Sequence, residues 1–219
     1  MPPGVGMETH RTVRGAARVR SLTETAAQMF LDHGYEAMSL DTLIARVGGS
    51  RRNIYGRFGG KEGLFIEVVT RFCTDLARPL EELEIAGEEV GSALSLFGCR
   101  LLDIVLQQRT VALHRLMIAE SQRFPELAQA MFRAGHDNAT RILAEWIEHK
   151  QSVAQLRGGV SSTELAAQFV NLLITVPQLR ALVGLVPGPL DGAEIASLTD
   201  IAVETFLSGA LPRESKIDA

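Results

Sequence analysis

Basic, amide and phenolic side chains are concentrated between residues 51 and 61, where their chemistry suits the phosphates and base edges of DNA. Arginine can bind guanine edges or phosphate oxygens, and asparagine can bind adenine. Ile54 and Phe58 are four residues apart on one helical face, so the polar residues between them point outward. We expect Asn53 and Tyr55 to carry part of the sequence preference. The predicted DNA-binding residues are Ser39, Ser50, Arg51, Arg52, Asn53, Tyr55, Arg57 and Lys61.

Two short helices joined by a glycine turn are predicted to position these side chains. Apolar residues at 40, 43, 44 and 47 follow the i, i+3, i+4, i+7 spacing of a helix, and Ser39 precedes them as an N-cap. Gly48 and Gly49 end that helix, and Ser50 offers a hydroxyl to cap the next one. The pattern predicts a helix-turn-helix whose second helix reads DNA.

This arrangement resembles the DNA-binding domain of TetR-type transcriptional regulators over about residues 18–69. The residues that carry the resemblance are Phe30, Gly34, Tyr35, Ser39, Ser50, Ile54, Tyr55, Phe58, Lys61 and Glu62. The sequence departs from the family pattern at Gly49, where an aliphatic residue is usual, and at Gly56 and Arg57, where an aromatic residue or His is frequent. Gly56 in mid-helix costs up to ~1 kcal/mol relative to Ala, so we expect a softer recognition helix.

The charge distribution agrees with a DNA-binding head. The chain of 219 residues has a net charge of −4 and 46% hydrophobic residues, enough for a full core in one or two domains. Residues 1–61 contain nine Lys or Arg against five Asp or Glu, a net charge of +4, and the remainder carries −8. Because the N-terminal part is basic and the remainder is acidic, we expect the phosphate-binding surface to lie on the N-terminal part. Arg11, Arg14, Arg18 and Arg20 either follow a DNA groove or form a solubilising tail.

The rest of the chain predicts an all-α body without strands or repeats. Helices are expected near 88–107, 109–122, 125–155, 162–185 and 191–208. The predicted organisation is a flexible tail (1–10), a three-helix helix-turn-helix domain (11–60), a ligand-binding and dimerisation domain (61–211) and a C-terminal tail (212–219). Residues 113–127, LHRLMIAESQRFPEL, resemble the regulatory domain of one TetR subgroup.

The helix that begins at Ser162 is apolar nearly all round, which predicts burial on two sides. We expect one of these sides to contact a second copy of the chain. The helix near 191–208 has a second apolar stripe, so two helices from each of two chains would form a four-helix interface. The family resemblance implies the same interface. The predicted interface residues are Phe169, Leu172, Val176, Leu179, Leu198, Ile201 and Thr205. Asn171, Thr175 and Gln178 form a polar line that serves the interface, lines a pocket or is exposed.

A small, mainly apolar effector is predicted to bind among the body helices, which are rich in aliphatic residues and Met and offer few inward polar groups. His114 is either an ordinary core or surface histidine or a ligand contact. The predicted ligand-binding residues are His114, Met117, Met131, Phe132 and Asn171.

Several other functions find no support in the sequence. The five histidines lack metal-site spacing, and no phosphate-binding glycine loop or nucleophile elbow occurs, so we expect neither an enzyme nor a cofactor or metal. Cys73 and Cys99 are predicted to be buried thiols, with a redox switch as the alternative. No run of ~20 uninterrupted apolar residues and no secretory core occurs, so a cytoplasmic location without a membrane partner is expected.

The combined expectation is a ligand-responsive repressor that binds a palindromic double-stranded DNA operator as a homodimer. The alternatives are an activator with the same fold, and a helical small-molecule-binding protein or enzyme that has lost DNA binding. Gly49 and Gly56 are the residues that favour the last alternative.

Overall fold

The computed structural model describes the backbone of residues 5–85, 89–186 and 188–210, and within these ranges the side chains of residues 17–209. All regular secondary structure in these ranges is helical. The predicted all-α fold is therefore confirmed. The predicted C-terminal tail, 212–219, lies outside the described residues.

The chain divides into two compact units. Unit 1 comprises Met1–Phe72 and Leu116–Ala128, and unit 2 comprises Cys73–Arg115 and Gln129–Ala219. The predicted head thus shares its unit with a segment from the middle of the chain, which the periodicity of the sequence did not indicate.

Unit 1 begins with four helices: α1 (Val5–Ala37), α2 (Leu40–Val47), α3 (Arg51–Phe58) and α4 (Lys61–Glu81), the last of which continues into unit 2. Regular helical geometry in α1 is interrupted at Gly34, whose φ of 78° favours glycine. Residues 5–10 of the predicted flexible tail are helical, and residues 1–4 lie outside the described residues. No proline between Val5 and Gly34 interrupts the helix.

An aromatic cluster forms the core of unit 1. The ring of Phe65 on α4 contacts those of Phe30, Tyr35 and Phe124, with centroid separations of 5.0, 4.9 and 4.9 Å. Such edge-on and tilted ring pairs each contribute about 0.5–1.5 kcal/mol beyond their area burial. Phe124 belongs to the segment 116–128, so this cluster fixes that segment against α1 and α4 within the unit.

The remaining helices build unit 2 and the 116–128 segment. They are α5 (Val90–Leu106), α6 (Gln108–Glu120), α7 (Pro125–Phe132), α8 (Asn138–Ser152), α9 (Ser162–Leu182) and α10 (Gly192–Ala210). A π-helical turn, Arg133–Asp137, joins α7 to α8. The predicted helix at 125–155 is thus helical over most of its length but contains one π-helical turn. The division between the units falls within α4, α6 and α7.

Helix α9 is the central helix of unit 2 and packs against α5, α8 and α10. Its inward side includes Leu165, Phe169 and Leu173, while Leu172 and Val176 are exposed. Among single helices of the described residues, α9 alone has the length and apolar composition of a membrane span. Core helices satisfy the same two criteria, and the buried side of α9 packs within the protein.

Gly63→Ala should destabilise the protein, because a Cβ at position 63 would lie 1.6 Å from the backbone carbonyl oxygen of Phe58. A backbone atom cannot move aside as a side chain can, so we expect a loss of about 1–3 kcal/mol or more. Thermal and urea unfolding of the two proteins measure the change.

Gly56→Ala is the matched control in the same unit, since a Cβ there would meet no atom within 4 Å. It should stabilise the recognition helix by up to about 1 kcal/mol. Equal effects of the two substitutions would contradict the close approach at Gly63.

Candidate nucleic-acid interface

The turn between α2 and α3 is fixed by caps at both helices. The Ser39 hydroxyl accepts from the Thr42 amide at 3.4 Å, and the Ser50 hydroxyl accepts from the Asn53 amide at 3.3 Å. Gly49 has a φ of 121°, which a side chain would strain. The positive φ of this residue explains why glycine stands at position 49 in place of the aliphatic residue that is usual in the family. The predicted helix-turn-helix is confirmed.

Helix α3 buries one residue and exposes its polar face. Ile54 is almost fully buried, whereas Arg52, Asn53, Tyr55 and Arg57 are exposed. Arg52 forms no ion pair among the described residues, and the Arg57 guanidinium lies 5.6 Å from the Phe58 ring centroid. Two cations, an amide and a phenol thus share an outward surface in the arrangement that the sequence predicted.

Arg51 is held by a carboxylate of the preceding helix. Its Nε and Nη2 donate to the two carboxylate oxygens of Asp41 at 2.8 and 2.6 Å, a bidentate pair. These hydrogen bonds hold the pKa of Asp41 below its usual value, and they raise the pKa of Arg51. Because both side chains are exposed, the pair contributes little to stability, but it neutralises one predicted DNA-binding charge.

Lys61 is also engaged within unit 1. Its Nζ donates to the backbone carbonyl of Glu36 at 2.9 Å and lies 4.7 Å from the ring centroid of Tyr35. Arg123 pairs with the Glu36 carboxylate and lies 4.4 Å from the centroid of the same ring. Burial raises the pKa of Tyr35, with Arg123 acting in the opposite direction. Lys61 and Arg123 thus form a second basic group, beside the end of α1.

Arg18, one of the four arginines predicted either to follow a DNA groove or to form a solubilising tail, lies beside the turn between α2 and α3. A Cβ atom placed on Gly48 would lie 3.4 Å from Nη2 of Arg18, so the Arg18 side chain, which extends from α1, lies close to the turn. Arg18 shares a shallow cleft with Ser50, Asn53 and Arg57. The sequence contained the basic segment, and the packing of α1 brings Arg18 close to α3. The side chains of Arg11 and Arg14 lie outside the described residues.

The predicted ligand-binding residues are partly brought together. His114, Met131 and Phe132 line a cavity of about 100 Å³ in unit 2. Met117 does not line it, because Met117 is buried in unit 1. Asn171 is also outside the lining and instead accepts from His136 Nε2 through Oδ1 at 3.2 Å.

Sequence reasoning missed His136, which lines the cavity from the π-helical turn. A π-helical insertion leaves no recognisable residue pattern, so the face on which His136 lies could not be derived from helical periodicity. Such insertions occur frequently at functional sites. Of the polar line on α9, Gln178 lines the cavity, while Thr175 is exposed and donates to the Asn171 carbonyl at 2.6 Å.

Most of the predicted interface residues are accessible. Val176, Leu179 and Ile201 are 63%, 57% and 62% exposed, Leu172 and Thr205 are also exposed, and Leu198 is half-buried. Phe169 requires a correction, because it is fully buried in its own chain. Its ring packs 5.2 Å from that of Phe206 and 6.4 Å from that of Phe97. An all-round apolar helix does not reveal which of its faces is internal.

The cysteines fit the structural interpretation better than the redox one. Burial raises the pKa of the Cys73 thiol to about 11, so it is protonated at neutral pH. Cys99 is half-buried, and its sulfur lies 3.5 Å from the Thr199 hydroxyl. Within the described part of the chain, no three His, Cys, Asp or Glu residues are placed to hold a metal ion.

Two family models together match most of the chain. Residues 22–68 match the model "Bacterial regulatory proteins, tetR family". Residues 92–209 match "AefR-like transcriptional repressor, C-terminal domain". The first match contains the whole helix-turn-helix. The second contains all of α6 to α9 and nearly all of α5 and α10.

Individual relatives agree with these matches. The HTH-type transcriptional repressor ComR of Escherichia coli (strain K12) is 26% identical over 187 residues, which cover 84% of each chain. A TetR-family structure from Mesorhizobium loti MAFF303099 has a TM-score of 0.79 at 24% identity, covering 91% of this chain and 99% of that one. The "Flavonoid-responsive Regulator FrrA" has a TM-score of 0.73 at 27% identity, covering 91% and 100%.

The structure and the comparisons agree. The structure has a capped helix-turn-helix with an exposed polar face, and more than half of the chain matches the C-terminal domain of AefR-like transcriptional repressors. The chain belongs to the TetR family of bacterial regulatory proteins and is a DNA-binding transcriptional regulator.

Proposed function

We propose that this protein is a cytoplasmic repressor that binds a nearly palindromic operator as a homodimer and releases it when a small, mainly apolar molecule binds. The exposed face of α3, with Arg52, Asn53, Tyr55 and Arg57 on a doubly capped turn, carries the proposal. The repressor assignment is supported by the name of the Escherichia coli relative.

The geometry of the turn supports a division of the proposed contacts between phosphates and base edges. Ser39 and Ser50 use their hydroxyl oxygens as cap acceptors, which leaves each hydroxyl hydrogen free to bind a phosphate. Asn53 and Tyr55 are exposed beside Arg52 and Arg57 and are the candidates for base edges. Arg51 and Lys61 must exchange their protein partners for phosphates to contribute fully.

A homodimer is supported by the apolar groove on unit 2. The groove lies along α9 and α10 and includes Leu172, Val176, Leu198 and Ile201. A single recognition helix reads only a few base pairs, so two heads about one DNA turn (~34 Å) apart are needed for useful affinity. A two-fold protein dimer then requires a nearly palindromic operator.

An apolar effector is supported by the cavity in unit 2 and by the name of the flavonoid-responsive relative. Three helices, α4, α6 and α7, belong to both units, so a change in unit 2 has continuous helical routes into unit 1. A coupling free energy of ~1–3 kcal/mol would change operator affinity about 5- to 150-fold.

Duplex DNA from beside the gene separates the candidate functions. Salt-dependent binding to a palindrome there would exclude a binding protein or enzyme that has lost its DNA function. Transcription measured with and without the protein then distinguishes a repressor from an activator.

Arg52→Ala and Arg57→Ala should each reduce the slope of log affinity against log salt by about one unit, since each removes one cation from the phosphate-binding surface. Fluorescence anisotropy with the operator duplex at several salt concentrations measures the slope. Arg141→Ala, an exposed arginine of α8, is the matched control and should leave the slope unchanged. Undiminished operator binding after Arg51, Arg52, Arg57 and Lys61 are all changed to Ala would refute the assignment.

Asp41→Asn should strengthen operator binding and steepen the salt dependence by about one unit, because it releases Arg51 and removes a negative charge beside α3. The same anisotropy titration measures both quantities. Asp32→Asn, which makes the same charge change at an exposed position of α1, is the control. Equal effects of the two substitutions would show that overall charge, and not release of Arg51, is responsible.

Val176→Glu and Ile201→Glu should each convert the dimer to monomers, because each places a charge in the centre of an apolar surface. Operator affinity should then fall about 100-fold or more through loss of the second head. Light scattering after size exclusion gives the mass.

Ile118→Glu is the control for these changes, since Ile118 is 61% exposed in unit 1. It should leave the mass unchanged. A monomeric mass for the unmodified protein at micromolar concentration would contradict the proposed dimer.

A further inference from the structure

The cavity in unit 2 is small and largely apolar. Its volume of about 100 Å³ is somewhat below the ~150 Å³ of a cavity that admits benzene. Leu80, Leu101, Ile104, Val105, Val170 and Ile174 supply much of its wall. A multi-ring molecule is therefore too large for the cavity, and a single ring with a short substituent is the upper limit of ligand size.

No charged side chain of Asp, Glu, Lys or Arg belongs to the lining of this cavity in the described part of the chain. A carboxylate or ammonium group on a ligand would therefore lose its hydration without gaining an opposite charge. The loss is large for an unpaired ion in an apolar environment. The lining selects against charged ligands.

His114 is one of four polar residues in the lining, with Thr110, His136 and Gln178. Its Nδ1 is buried without a hydrogen-bond partner. No hydrogen bond involves Nε2 among the described residues, and Nε2 is not enclosed as Nδ1 is. Burial lowers the pKa of His114, so the ring is neutral at pH 7. A buried N–H without a partner is rarer than an unpaired lone pair, so the proton belongs on Nε2.

His136 is less suited to be the primary contact. Its Nε2 is engaged with Asn171, and its ring is stacked on Phe132 with a centroid separation of 5.0 Å. Its Nδ1 is buried, and the nearest Asp137 carboxylate oxygen is 3.6 Å away, beyond hydrogen-bond distance. His136 therefore shapes the cavity, and the Nε2–H of His114 is available as a donor to a ligand.

We propose that the cavity takes an uncharged, single-ring molecule with one hydrogen-bond-accepting oxygen, which accepts from Nε2 of His114. This inference rests on the proposed ligand response and specifies its chemistry. Ketones, aldehydes and ethers of a single aromatic ring belong to the class. Carboxylates of the same size do not.

Calorimetric titration of the full-length protein with acetophenone, benzoate and cumene tests this class. These probes have similar sizes but carry a neutral acceptor, an anionic acceptor and no acceptor, respectively. Acetophenone should bind, and benzoate should bind at least about tenfold more weakly than acetophenone. His114→Leu should weaken acetophenone about five- to tenfold relative to cumene, because only acetophenone loses a hydrogen bond.

His149→Leu, an exposed histidine of α8 outside the cavity, is the matched control and should leave the acetophenone-to-cumene ratio unchanged. Ala134→Leu should weaken all probes by filling the cavity. If His114→Leu does not fold, nitrogen NMR of the unmodified protein gives the answer. A neutral ring with the proton on Nε2 in the acetophenone complex supports the proposal, and a charged ring or a proton on Nδ1 overturns it.

Three outcomes would each overturn the ligand class. They are stronger binding of benzoate than of acetophenone, an unchanged acetophenone-to-cumene affinity ratio in folded His114→Leu, and failure of acetophenone to bind. The proposed function is judged separately, by operator binding with and without saturating acetophenone. Binding through His114 without any change in operator affinity would uphold the ligand class and refute the proposed response. If the protein binds acetophenone through His114 but binds no operator in either condition, the ligand class is upheld and the proposed function is refuted.

Discussion

The carbonyl of Phe58 and the backbone of Gly63 approach so closely that no side chain fits between them. This contact joins the end of α3 to the first turn of α4, with Gly59 in the left-handed conformation between them. Because α4 also provides Phe65 to the aromatic cluster of unit 1, the exposed face of α3 is oriented by the core. The interface is therefore positioned by backbone packing, and the hydrogen bonds of its exposed side chains do not need to hold it in place.

Charge counting overstates how many cations of the head are free for DNA. Arg51 is paired with Asp41, and Lys61 is bound to a carbonyl beside the Glu36–Arg123 pair. Arg52 and Arg57 have no comparable anionic partner in the described residues. Sequence composition predicts the net electrostatic field of a domain, which acts over about a Debye length. Local ion pairs and hydrogen bonds determine which side chains can exchange their protein partners for phosphates at low cost.

The features that the sequence predicted correctly depend on local rules. Ser39 and Ser50 were predictable as caps because the backbone groups they satisfy lie within three residues, and Ile54 was predictable as buried from helical spacing. Phe169 was not, because an all-round apolar helix contains no signal for its internal face. The cavity was predicted only in part: His114 and Phe132 were candidates, but His136 depends on a π-helical turn with no sequence signature. Gly63 also escaped notice, since its partner is a backbone atom.

Helix α9 connects the two proposed roles of unit 2. Val170, Ile174 and Gln178 on one side of it line the cavity, while Leu172, Val176 and Leu179 on the other side are exposed. A ligand that fills the cavity presses on the helix that would form the dimer interface, and a close-packed helix moves as a unit. The effector need only favour one placement of α9 over another by a small free energy, since a ligand shifts an equilibrium by its differential affinity for the two states. In the proposed dimer, α9 would thus link effector binding to the placement of the two subunits, and the ligand would not need to contact the recognition helix.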